Sequence, residues 1–120
     1  YRVGKPYWKR GDGILELPVQ VTPGPRAPVI GTSVTMAGPL GARMLAKLCS
    51  REPLVNLELH GIDVLDMTDG LQPLVAHQPD VSISRDRKLD SLAAFVDVLK
   101  RAGYSFVTLR EAADEVRKSL

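Results

Sequence analysis

The sequence predicts an α/β protein in which about three parallel strands alternate with helices, as a layer or a barrel. Two observations predict it. Runs with strand character alternate along the chain with stretches whose apolar residues recur every three and four positions. The best-defined apolar run, Leu54-Val55-Asn56-Leu57-Glu58-Leu59-His60, ends on a histidine and then a glycine, Gly61. Parallel α/β sheets gather their reactive side chains at such strand ends.

Each element has its own local signal. Ile14–Val21 alternates and is rich in β-forming residues, with Pro18 restricting it to an edge or bulged position. Thr22–Pro28 holds three prolines and Gly24, a stiff loop. Ile30–Val34 reads as a short extended piece. Pro39 suits the first turn of a helix running to about Ser50, with Leu40, Met44, Leu45 and Leu48 on one face. After the strand ending at His60, Gly61–Asp80 is a long polar loop with one helical turn near Leu71–His77. A helix over Asp86–Ala102 follows, with Leu89, Leu92, Ala93, Val96 and Leu99 as its inward stripe, Ser84 as its cap and Gly103 as its left-handed stop. Tyr104–Val107 reads as a strand. Thr108 and Glu111 then form a capping box for a last helix facing inward through Ala112, Ala113 and Val116.

Composition narrows the class of function. The chain has 120 residues, enough for one core. A net charge of +2, scattered basic residues and few aromatics argue against nucleic acid. No run approaches the length of a membrane span. The single cysteine, Cys49, lies on an apolar helix face and reads as core. The first thirteen residues, which include Tyr7 and Trp8, show no periodicity and read as an irregular lead-in to one partial domain over 1–120. Because the chain opens on Tyr1 and three strands make a poor free-standing parallel sheet, it is expected to be a piece of a longer protein. Exposed edges of such a piece would favour self-association or pairing with a missing N-terminal half.

Leu57-Glu58-Leu59-His60 resembles the Leu-x-Leu-His motif of the polysaccharide deacetylases, carbohydrate esterases built on the chitooligosaccharide deacetylase homology domain. Glu16-Leu17-Pro18 resembles that family's Glu-x-Pro strand. Gly103-Tyr104-Ser105-Phe106-Val107-Thr108-Leu109 is similar to its closing phrase. The likeness runs from Ile14 to Val116. It implies the C-terminal part of a distorted (β/α) barrel, and removal of N-acetyl or N-formyl groups from amino sugars in a carbohydrate substrate. It also implies a divalent metal such as zinc, whose aspartate and His-x-x-x-His ligands, with the aspartate base, lie in the first half of the family domain. None of those motifs occurs here, and His60 and His77 lack a partner at ligand spacing, so no metal site is assigned to this chain and the chain alone is expected to be inactive.

On this resemblance His60 is the general acid that protonates the departing amine, and Leu57 and Leu59 contribute to the acetyl pocket. Read without it, His60 is a strand-end histidine bonded to a carbonyl. Asp63 or Asp66 can orient the imidazole or simply cap the loop. Glu58 shares the His60 strand face and can pair with the imidazole or with an arginine. By resemblance Glu16 takes the place of an acidic group that tunes the histidine. His77 and the basic residues of Arg85–Lys88 read as solvated. The competing expectations are a non-catalytic carbohydrate-binding or protein-interaction module of the same fold, and a small α/β regulatory domain.

Overall fold

The computed structural model describes residues 2–3 and 10–119. They gather into two compact units. The larger is Val19–Tyr104, and the smaller joins the described residues up to Pro18 with those from Ser105 onward. Tyr7, Trp8 and most of the expected lead-in lie outside the described residues.

The described residues are mostly helical, 54% in helix against 7% in strand, and this overturns the expected part of a (β/α) barrel. Among the described residues the one ladder is antiparallel, between β1 (Arg2–Val3) and β2 (Arg10–Leu15). No parallel sheet occurs among the described residues. The strand expected over Ile14–Val21 therefore begins earlier and stops at Leu15. The remaining expected strands fail for visible reasons. Leu54–His60 is extended, but its carbonyls serve two separate segments: Asn56 O accepts from Gln20 N (3.0 Å) and Glu58 O from Gly31 N (2.8 Å). Pro18, Pro23, Pro25 and Pro28 strip donors from the neighbouring chain, so these bonds do not propagate into a ladder. Only an isolated Val21–Pro28 bridge closes the proline-rich turn. At Tyr104–Val107 the first amide is already committed, because Tyr104 N donates to Leu99 O (3.1 Å) and Gly103 N to Lys100 O (3.0 Å). This pair of bonds is a Schellman closure, which Gly103 permits at φ +90°.

The described residues form four α-helices: α1 (Gly31–Met36), α2 (Gly38–Cys49), α3 (Arg85–Arg101) and α4 (Leu109–Lys118). The stretch read as extended at Ile30–Val34 is α1. Ser33 makes it helical, since its Oγ accepts from Ile30 N (2.9 Å) and donates to Ile30 O (2.8 Å). α3 and α4 match the sequence reading closely. The Ser84 Oγ caps α3, and the Thr108–Glu111 capping box opens α4, where the Thr108 amide and then its hydroxyl, both donating to Glu111 Oε2, hold that carboxyl below the usual carboxylate range.

The core of the larger unit is the packing of α2 on α3 with α1 alongside. Val29, Val34, Ala42, Ala46, Cys49, Ala94, Phe95 and Leu99 form its buried cluster. The face α2 buries is thus Ala42, Ala46 and Cys49, not the expected Leu40, Met44 and Leu48, which are exposed. Small side chains let the two helix axes come close enough for Phe95 and Leu99 to fill the gap, a burial of about 1.5–3 kcal/mol for each large side chain. Burial raises the Cys49 thiol above its ordinary value and keeps it protonated and unreactive. On α3 the inward stripe is rotated from the expected one. Lys88, Ser91, Ala94, Phe95 and Leu99 are buried, whereas Leu89 and Ala93 are exposed.

Between His60 and α3 the chain makes four 3-10 turns, at Gly61–Val64, Met67–Asp69, Gln72–Leu74 and Pro79–Ser82. Asp66 fastens the second of these. Its Oδ1 accepts from Thr68 N (2.8 Å) and Thr68 Oγ1 (2.6 Å), and its Oδ2 from Arg85 N (2.7 Å). The Thr68 hydroxyl first, then the Arg85 and Thr68 amides, hold its carboxyl down at about 2, against an ordinary 3.8. Asp69 is lowered too, by the Arg85 guanidinium. A carboxylate that is more acidic folded than unfolded adds stability that is complete above about pH 4 and disappears as pH falls toward 2. The melting temperature is expected to drop across that window. Asp66→Asn should lower it at neutral pH and flatten the drop, which thermal melts recorded by circular dichroism at pH 2–7 would read.

Candidate functional site

His60 ends the extended segment and starts the first 3-10 turn, with its backbone still extended (φ −116°, ψ 160°). Alternation along Leu54–His60 puts Glu58 and His60 on one side. Glu58 Oε1 lies 3.4 Å from His60 Nε2, and both side chains are about half exposed (48% and 60%). On the other edge of the ring, Asp63 Oδ2 lies 3.9 Å from Nδ1. The imidazole thus stands between two carboxylates and faces solvent.

Asp63 is the fixed one. It is fully buried. Its Oδ2 accepts from His60 N (2.7 Å) and its Oδ1 from Thr32 Oγ1 (2.8 Å), while Asp63 N donates to His60 O (3.0 Å). Asp63 therefore caps its own turn, one of the two roles expected of it, and its carboxylate also stands beside the imidazole. Gly31 makes room for it. A Cβ there would overlap the Asp63 carboxylate and approach Leu59 Cδ2 to 2.7 Å. Gly31→Ala is accordingly expected to cost about 1–3 kcal/mol in urea unfolding, through overpacking against a group that cannot retreat.

The turn is pinned from beneath by Lys88. Its ammonium is fully buried and donates to Ile62 O (2.9 Å), Leu65 O (2.7 Å) and the buried Asp80 Oδ2 (3.2 Å). All three protons are used, and the two carbonyls flank Asp63 in sequence. The expectation that Arg85–Lys88 is simply a solvated helix start is wrong for Lys88. Its place on the buried stripe of α3, three residues before Ser91 and seven before Phe95, was the available signal.

The other candidates are placed differently. Leu57 is half-buried against the core cluster, and Leu59 is exposed beside Gly31. Asp66 is engaged with Thr68 and Arg85. His77 is exposed. Glu16 is exposed and belongs to the smaller unit. Among the described residues, no group of three or more His, Cys, Asp or Glu side chains could hold a metal ion. The residues present therefore do not fit the divalent metal that the family resemblance implies, and no chemical step of this chain is assigned to one. No helix among the described residues is long and apolar enough to cross a membrane.

No family model, curated protein or solved structure matches the chain.

Proposed function

We propose that this chain contributes the proton-donating histidine of a hydrolase that removes N-acetyl or N-formyl groups from amino sugars. The observation that carries the reading is the His60 imidazole, solvent-facing and set between Glu58 and the buried Asp63 at the end of the Leu-x-Leu-His segment. Cleavage of an amide ends with rupture of the C–N bond in a tetrahedral adduct. The amine departs only as it gains a proton, and imidazole is the side chain that exchanges a proton near neutral pH. In this assignment protonated His60 gives its proton to the sugar nitrogen, the carbonyl carbon leaves as a carboxylic acid, and the ring is returned to its charged form from solvent. Leu59, exposed beside Gly31, is assigned as the apolar contact for the acyl methyl. The groups that activate the attacking water are assigned outside the described residues.

The test is acetate or formate release from N-acylated glucosamine oligomers by the complete product of the gene, assayed with divalent metal. Release that is lost in His60→Ala supports the reading. No release from any such substrate, or release indifferent to His60, overturns it.

A further inference from the structure

The geometry points to a polar clamp, Thr32 from α1 and Lys88 from α3 closing on the Asp63 turn, that makes Asp63 the positioning residue of the His60 imidazole. The inference deepens the proton-donor reading and rests on it. Four carboxylates compete for the role from sequence, Glu58, Asp63, Asp66 and Glu16, and both oxygens of Asp66 are engaged by Thr68 and Arg85. Glu58 is about half exposed, so rotamer freedom and water leave its 3.4 Å approach to Nε2 poorly defined. Glu16 is exposed as well.

Asp63 is held from every side. Thr32 Oγ1 fixes Oδ1, the His60 amide fixes Oδ2, and the space that a Cβ on residue 31 would fill is taken up by the carboxylate itself. Lys88 then fixes the backbone on both sides of it, through Ile62 O and Leu65 O. Oδ2 lies 3.9 Å from Nδ1, near enough for a small ring rotation to close a hydrogen bond without moving the carboxylate.

The consequence is a choice of tautomer. The proton on one ring nitrogen is set by the acceptor that nitrogen meets. With Asp63 immobile beside Nδ1, neutral His60 carries its proton on Nδ1 and turns Nε2 outward. Nε2 is then the nitrogen that takes up and delivers the transferred proton. Glu58, beside Nε2, stands where the sugar amine would come. The substrate nitrogen displaces its carboxylate from the ring without disturbing the clamp.

The tautomer is read directly from the ring nitrogen and carbon chemical shifts of His60 in the labelled protein at alkaline pH. The expected result is Nδ1–H as the major form in the native protein. Thr32→Val, nearly isosteric, should shift the population toward Nε2–H, and Asp63→Asn should shift it further. In the active gene product Thr32→Val should lower kcat and leave KM in place. A wild-type ring that is mainly Nε2–H, or an Nδ1–H ring unchanged in both variants, overturns the clamp. The chemical-shift measurement needs no turnover. A protein with the expected tautomer but no acyl release leaves the positioning intact and removes the reaction. Should Asp63→Asn fail to fold, the native tautomer and Thr32→Val still decide.

Discussion

Lys88→Met is expected to destabilise the Val19–Tyr104 unit by about 3–5 kcal/mol, the cost of breaking a buried ion pair from one side. The ammonium is fully buried, and its three acceptors are an aspartate and two main-chain carbonyls. Methionine matches the stem but donates nothing. Asp80 would be left as a buried carboxylate opposite no cation, and Ile62 and Leu65 would each lose a bond from a buried donor. Removing the carboxylate as well, in Lys88→Met with Asp80→Leu, should restore only part of the loss. The Asp80 charge is then gone, but the two carbonyls still lack their donor, at about 1–3 kcal/mol for each one left buried. Urea unfolding followed by circular dichroism separates these cases. A loss under about 1 kcal/mol in the single variant would mean that water reaches the ammonium.

His60→Ala is expected to lower turnover of N-acyl amino sugars by about 100- to 10,000-fold, the usual contribution of a positioned acid. The size of the loss should depend on the leaving group. An alkyl amine cannot depart unprotonated, whereas a nitrophenolate can. On an acetyl ester of nitrophenol the same variant should therefore lose far less, and the ratio of the two losses isolates proton donation from binding. Equal losses on both substrates would assign His60 to binding or structure instead.

What the sequence made legible follows from how local each determinant is. Ser84, Gly103, Thr108 and Glu111 act within one turn of their own residues, and the helices they bound were read nearly to the residue. The strands were misread because a strand is defined by its partner. Leu54–His60 has the residues and the extended backbone, but its bonds divide between Gln20 and Gly31. Helix faces were misread where size misled. Leu40 and Met44 are larger than Ala42 and Ala46, yet the close approach of α2 to α3 required the small pair. At the candidate site, His60, Glu58 and Asp63 were all visible as titratable residues near one strand end. Gly31, Thr32 and Lys88 were not, because they come from 23 or more residues away along the chain and reach the turn only through tertiary packing.

The Lys88 tether also bears on what keeps the His60 turn in place. Its bonds to Ile62 and Leu65 span 26 and 23 residues, and they form only with α3 seated. Contacts of such separation tie the order of the turn to the seating of α3 rather than to the turn's own residues. The geometry around the imidazole is thus only as well defined as the place of α3, and anything that loosens α3 loosens the ring's surroundings with it.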